Sequence, residues 1–378
     1  MATGLYIHIP FCHQKCAYCD FYSVPVELGA IEQYLELLLA EARLRGAGQT
    51  INTVFLGGGT PSLLSARQIS TVLEGVSRYF CLAEGAEITL EANPETLTPQ
   101  SLSAYHAAGI NRLSMGVQTL TPALLPLLGR KHTAKEALTA IAWAQAAGFV
   151  NLSCDLIYGI PGQTLASWQD DLRTLVARGL PHLSVYCLEI YDETPLGRAV
   201  ASGAVQRPDD DAAADMYDFA RDYLPEQGVQ QYEISNFARP GRECRHNLNY
   251  WQNGDYLGLG PAACSYGQDT RECNVADLQT YKDLIKSGQL PTGSSEHLDE
   301  RDIAAETVIL GLRLSTGVDQ EAFAKRFGYS LEAAFGDEIS QLLQKGWLQR
   351  SERGYALPKH MRPIANAVFC SFLRDSNT

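Results

Sequence analysis

Positive charge is scarce in this chain. Its 378 residues include 30 Lys and Arg against 43 Asp and Glu, a formal net charge of −13. A protein that coats nucleic acid shows the opposite balance, so no nucleic-acid partner is expected, although a local basic pocket stays compatible with it. Long hydrophobic runs are missing too. No stretch reaches the roughly 18 apolar residues of a membrane-spanning helix. The opening MATGLYIHIPFC has no basic segment, apolar core and cleavage site in succession. It does not read as a signal peptide, and the expected location is the cytoplasm. Low-complexity tracts and short repeats are absent. Charged residues make up 19% against 46% hydrophobic, so the chain can bury a large core and global disorder is excluded. The length predicts two domains, or one large barrel with an addition.

Cysteine is plentiful, and its placement is uneven. Seven of ten, Cys81, Cys154, Cys187, Cys244, Cys264, Cys273 and Cys370, are scattered without metal-ligand spacing. In a reducing compartment they read mostly as small buried hydrophobes rather than a disulfide set. Cys12, Cys16 and Cys19 instead crowd into CHQKCAYCD. A structural zinc site closes with four ligands, and an ordinary iron–sulfur cluster uses four thiolates. Three thiolates can hold three irons of a four-iron cluster and leave the last one open to a small molecule. His8 and His13 are candidate extra ligands. A redox pair of Cys16 and Cys19 is the rival reading; it gives Cys12 no role.

Short apolar runs recur at 5–9, 52–56, 87–91, 111–115, 151–157 and 182–189, with helix-like periodicity at 32–45, 66–80, 98–109 and 133–148. Gly109 and Gly148 are suited to helix C-termini. Six alternations predict a parallel sheet covered by helices. Unusual residues follow run after run: the cysteines, then Gly57–Gly58–Gly59, Glu91, Gln118, Asp155 and Glu189. In barrels such strand ends share one mouth. Residues 208–228 read as an acidic helix capped near Asp209. Residues 232–267, rich in Tyr, Asn and Gly, read as loops. Helices return from about residue 298. Two short strands at 348–357 and a final helix at 361–374 suggest a small winged-helix-like domain. The expected domains are 1–235, 236–295 and 296–378.

CxxxCxxC after the first strand and GGGTPS after the second resemble the radical S-adenosylmethionine superfamily. There a 4Fe-4S cluster binds S-adenosylmethionine through its open iron and cleaves a carbon–sulfur bond. YIHIPFC, FLGGGTPSLL, EANPETL, GINRLSMGVQT, LGRKHT, DLIYGIPGQT and HLSVY, with LGLRL and ANAVFCSFL near the end, resemble the oxygen-independent coproporphyrinogen oxidases and their relatives. The resemblance implies an α/β fold, a partial (β/α)6 TIM-like barrel with a small helical C-terminal domain. It implies that Tyr6, Gly59, Thr60 and Glu91 line one S-adenosylmethionine site. Tyr18, Gln118, Arg130, Asp155 and Glu189 match positions that contact a second molecule in the oxidase. Glycines let the backbone approach such a ligand. Glu91 can accept from ribose hydroxyls, Arg130 can fork onto a carboxylate, and Asp155 can hold an amine or hydroxyl.

Two features separate the chain from the oxidase. The oxidase motif has a further cysteine where this chain has Phe21. Its long N-terminal extension also has no counterpart before a first strand near residue 5. His246-Asn247-Leu248-Asn249-Tyr250-Trp251 matches the HNxxYW motif of HemW-type heme chaperones. That resemblance implies heme b as cargo, His246 as axial ligand with Tyr250 and Trp251 flanking a porphyrin face, and heme-accepting respiratory or storage proteins as clients. It also allows a homodimer. Cys264 stands where that family usually has histidine, either as a substitute thiolate or as a small buried side chain. The alternatives are a coproporphyrinogen oxidase or a radical enzyme acting on another tetrapyrrole.

Overall fold

The computed structural model describes residues 3–374. The first part runs β1 (Thr3–Ile9), β2 (Phe11–Cys12), β3 (Val24–Pro25), α1 (Ala30–Arg45), β4 (Thr50–Gly58), α2 (Ala66–Tyr79), β5 (Cys81–Ala92), α3 (Pro99–Ala107), β6 (Arg112–Gln118), α4 (Ala134–Ala146), β7 (Leu152–Tyr158), α5 (Leu165–Ala177), β8 (His182–Cys187), α6 (Pro195–Ala201) and α7 (Asp210–Glu226). Next come β9 (Gln230–Gln231), β10 (Asn236–Ala238), α8 (Arg245–Trp251), β11 (Tyr256–Leu259), β12 (Cys264–Gly267), β13 (Thr270–Asn274), α9 (Leu278–Lys286) and β14 (Thr292–His297). The last part holds α10 (Glu300–Arg313), β15 (Val318–Asp319), α11 (Gln320–Phe327), α12 (Leu331–Gln344), β16 (Gln349–Arg350), β17 (Gly354–Ala356) and short helical turns from Lys359 to Phe372.

The six expected strands are β1, β4, β5, β6, β7 and β8, adjacent and parallel in that order. Helices α2 to α5 each start at a reciprocal cap, Ser65 with Gln68, Thr98 with Ser101, Thr133 with Glu136 and Thr164 with Ser167. Such caps satisfy backbone donors that the first turn cannot. Gly109 and Gly148, at φ +105° and +95°, follow α3 and α4.

Side chains alternate across each strand. Leu5, Ile7 and Ile9 of β1, Leu113, Met115 and Val117 of β6, and Leu152, Cys154 and Leu156 of β7 are buried in the main core with the helices. The opposite face carries Tyr6, Glu91, Arg112, Ser114, Asp155 and Ser184, all lining one cavity. The apolar face thus holds the fold together, while the concave face is left for chemistry.

The sheet extends beyond six strands. Its full order is β14-β13-β12-β11-β1-β4-β5-β6-β7-β8-β10-β9, with β11 parallel to β1 and the outer additions antiparallel. The segment 232–267, expected to be loops, therefore supplies β10 to one flank and β11 and β12 to the other flank of the same sheet. Among the described residues β14 and β9 stand at the two ends of this order. The last part has its own core, centred on Leu312, Phe323, Phe335, Tyr355 and Phe372. The final helix expected at 361–374 is instead broken turns. Pro363 sits inside the first of them, where it cannot donate to a helical ladder.

Candidate functional site

The cysteine loop is tied down on both sides. Thr60 N donates to Phe11 O at 2.8 Å, Val26 N to Cys12 O at 3.1 Å, Ala17 N to Leu128 O at 3.0 Å and Leu196 N to Ala17 O at 2.8 Å. Cys12, Cys16 and Cys19 are free thiols of intermediate exposure. Thr60 Oγ1 lies 3.5 Å from the Cys12 sulfur, and Arg130 Nη1 lies 3.5 Å from the Cys16 sulfur. Burial pushes the Cys19 thiol up to about 11. Among the described residues no three His, Cys, Asp or Glu side chains converge as a single-ion site requires. Both ring nitrogens of His8 already have partners. Its Nε2 contacts Tyr22 O at 2.9 Å and its Nδ1 contacts Tyr6 Oη at 3.1 Å. His13 is exposed on the loop.

The glycine run ends β4 against this loop. Gly58 has φ +104°, and a Cβ there would lie 2.5 Å from the His8 ring; one on Gly59 would lie 2.7 Å from Phe11 O. Only glycine permits that approach. Gly58 N in turn donates to Glu91 at 3.3 Å. Burial, then the neighbouring Asp155, pushes the Glu91 carboxyl up to about 8. Burial also raises Asp155, although Ser114 Oγ donates to both its oxygens at 3.2 Å. Arg130 bridges the strand ends, with Nη2 at 2.7 Å from both Asn93 Oδ1 and Gly116 O. Asn93 Nδ2 reaches Thr60 Oγ1 at 3.3 Å. Gln118 adopts φ 66° and folds back over Gly116. Burial raises the Tyr18 phenol above its usual range.

These groups fall into two neighbouring clefts. Tyr6, Glu91 and Asp155 line the cavity inside the sheet, while Cys16, Thr60 and Arg130 line a second cleft beside the cysteine loop. Glu189 joins neither. It lies beyond the end of β8, exposed, paired with Tyr191 and facing another hollow.

The HNxxYW segment forms α8, and its helical spacing divides it. His246 and Tyr250, four residues apart, point into the cavity. His246 is 1% exposed. Its Nδ1 meets Thr53 Oγ1 at 2.8 Å, its Nε2 meets Tyr250 Oη at 3.0 Å, and its ring stacks on Phe55 at 5.1 Å. Burial, then the charge of Arg112, lowers its pKa to about 3, so the imidazole is neutral. Trp251 turns the other way, under Arg313 of α10 at 4.2 Å. Tyr250 and Trp251 therefore do not flank one face, which corrects the expectation of a shared porphyrin wall. Cys264 faces Cys273 across β12 and β13, and the two form a disulfide. As paired, Cys264 offers no thiolate, and the expectation of a chain without disulfides is corrected. Of the seven scattered cysteines only Cys154 and Cys244 are buried; Cys81, Cys187 and Cys370 are exposed.

Sequence reasoning passed over Asn93, which links Arg130 to Thr60, and Arg112, which starts β6 and faces inward. Both lie within quoted motifs, EANPETL and GINRLSMGVQT. The available signal was a polar residue at a strand end, on the face opposite the apolar alternation.

Comparison with known proteins places this architecture. The radical SAM superfamily profile matches residues 6–175, and the HemN C-terminal domain profile matches residues 298–361. The heme chaperone HemW of Escherichia coli K12 is 43% identical over 381 residues, covering 98% of each chain. The heme chaperone HemW of Bacillus subtilis is 36% identical over 374 residues, covering 98% of this chain and 99% of its own. The structure of Escherichia coli coproporphyrinogen III oxidase HemN superposes with a TM-score of 0.87 at 24% identity, over 98% of this chain and 90% of that one, which identifies the fold. With full-length similarity at this level, the chain belongs to the HemW family of the radical SAM superfamily.

Proposed function

We propose that the protein binds heme b and transfers it to client proteins, and that Cys12, Cys16 and Cys19 hold a 4Fe-4S cluster whose open iron takes S-adenosylmethionine. The observation that carries this reading is the 43% identity over 98% of both chains to a protein named as a heme chaperone. The residues fit a cluster. Three free thiols share one anchored loop with no fourth thiol on it, and cationic Arg130 stands 3.5 Å from one sulfur, where it offsets thiolate charge. When bound, such a cluster supplies an electron to the sulfonium of S-adenosylmethionine.

In this reading the chain's own groups bind and orient. Tyr6, Gly59, Thr60 and Glu91 line the S-adenosylmethionine site, with Tyr18, Gln118, Arg130 and Asp155 beside it. Glu91, held up to about 8 by burial, is protonated at neutral pH and can donate as well as accept a hydrogen bond. His246 is the candidate axial ligand, since a neutral imidazole is the form that binds iron. Tyr250 Oη must first leave its Nε2, 3.0 Å away. Clients would be respiratory enzymes or heme storage proteins in the cytoplasm, met by a monomer or a homodimer. Phe21, in place of the oxidase's further cysteine, argues against the decarboxylase.

Anaerobic reconstitution should load about four irons per chain. Added heme should give a Soret band that His246→Ala weakens; an unchanged band removes His246 as ligand. Coproporphyrinogen III with S-adenosylmethionine should yield no protoporphyrinogen, and its formation would overturn the chaperone reading.

A further inference from the structure

Strand β6 opens with a cation inside the protein. Arg112 is 2% exposed. Its Nε is buried without a hydrogen-bond partner. No carboxylate among the described residues comes within 4.0 Å of the guanidinium. Other sequestered arginines keep at least one close partner, although the Nε of Arg130 is unpaired as well. Arg45 meets Glu41 at 2.9 Å and Asn274 at 2.8 Å, and Arg130 meets Asn93 and Gly116 O, both at 2.7 Å. The groups that act on Arg112 through space are Cys244 first, then Glu87, Tyr232 and Asp155, and the two carboxyls among them have other partners. Glu87 Oε1 accepts from His246 N at 3.2 Å, and Asp155 accepts from Ser114. A guanidinium withdrawn from water with an unpaired Nε is strongly unfavourable unless a further group completes the site.

The space for that group is present. Arg112 lines a cavity of about 310 Å³ with Tyr6, Phe55, Asp155, Ser184 and Tyr250. Phe21 lines it as well and is 62% exposed, so the cavity reaches the surface beside the cysteine loop. Its size is at the lower end of small-ligand sites, roughly 300–1,000 Å³, which suits a side arm better than a whole macrocycle. Glu91 is held toward its neutral form by burial, so it does little to cancel the charge of Arg112.

We infer that Arg112 is the anchor for a ligand carboxylate that enters the barrel from the side of Phe21. Its planar fork matches a carboxylate at two points. The inference rests on the ligands of the reading above, which offer two sources of this chemistry: a propionate arm of heme, and the methionyl carboxylate of S-adenosylmethionine.

Three titrations on the full-length protein separate the sources. Heme and heme dimethyl ester, whose propionates are blocked, are compared by Soret titration in the wild type, which requires no variant. Both are repeated with Arg112→Met and Arg112→Lys, with thermal unfolding as a check of folding. S-adenosylmethionine binding to cluster-loaded protein is measured by calorimetry in the same variants.

For a propionate anchor, the wild type prefers heme over its ester by roughly 10- to 100-fold. Arg112→Met abolishes that preference, and Arg112→Lys, which keeps the charge without the fork, retains part of it. For a methionyl anchor, the ester binds as well as heme, and S-adenosylmethionine weakens by a similar factor in Arg112→Met. Wild type that binds the ester as well as heme, or an unchanged preference in Arg112→Met, together with folded variants that bind S-adenosylmethionine normally, overturns the inference. A wild type that binds no heme refutes the heme reading by itself, and the S-adenosylmethionine arm then decides the role of Arg112.

Discussion

Glu41 of α1 is a four-way tie between the parallel strands' helical cover and the antiparallel extension. It is 0% exposed. Its Oε1 accepts from Arg45 Nε at 2.9 Å and Asn274 Nδ2 at 2.8 Å, and its Oε2 accepts from Gly260 N and Tyr281 Oη, both at 2.7 Å. Gly260, at φ +100°, sits where a Cβ would lie 2.8 Å from His8 O. The carboxylate thus clamps the turn between β11 and β12 and the end of β13 onto α1. Glu41→Ala removes four hydrogen bonds, one from a guanidinium with side-chain exposure of 7%, while Arg45 keeps Asn274 Oδ1 and Asn274 Nδ2 keeps Gly260 O. Glu272, 3.5 Å from Arg45, compensates only in part, since it is 35% exposed. Breaking a buried pair from one side costs about 3–5 kcal/mol. Glu41→Gln keeps the shape and one acceptor, and should cost about 1–3 kcal/mol. Urea unfolding of the cluster-free protein measures both. Because the partners are shared, Glu41→Ala with Asn274→Ala should cost less than the sum of the two. A loss below about 1 kcal/mol for Glu41→Ala would refute the clamp.

Four further outcomes are expected. His246 takes up a proton near its ordinary value of 6.5 when unfolded but only at about 3 when folded. Its contribution is therefore intact above 6.5 and lost as pH falls. The wild type should lose about 2 kcal/mol more than His246→Gln from about pH 7 to about pH 5, and parallel curves would contradict this. Gly58→Ala, forced into φ +104° and against the His8 ring, should weaken S-adenosylmethionine binding at least tenfold by calorimetry; unchanged affinity would mean that β4 does not shape that site. Serine at any one of Cys12, Cys16 or Cys19 should strip most reconstituted iron, and undiminished iron would refute the cluster assignment. Alkylation of denatured, cluster-free protein should label eight thiols without reductant and ten with it, because Cys264 and Cys273 are paired; ten in both cases would show the pair reduced in solution.

The six parallel strands were legible because each is a short apolar run followed by a periodic segment with capping residues at its start. The antiparallel flanks were not. β11 and β12 are four residues each and each carries a glycine, which weakens strand preference. They exist because neighbours supply hydrogen-bond partners, and such context overrides propensity. The cysteine trio was legible from spacing alone. The direction of α8 was not: helical phase put His246 and Tyr250 on one face and Trp251 on another. Glu189 looked equivalent to Glu91 along the chain, yet it lies past the end of its strand and faces elsewhere.

What the sequence by itself determined is local: alternating strands and helices, an anchored three-thiol loop, glycines where β4 ends. These depend on periodicity and spacing between near neighbours. Only the tertiary structure decided that Glu91, Arg112, Asp155 and His246, from four separate elements, share one cavity. Strand order and register choose which side chains converge on the concave face, and burial there changes their protonation. A neutral imidazole, a carboxyl held toward neutrality and a guanidinium with an unpaired Nε are properties of that enclosure rather than of any one segment.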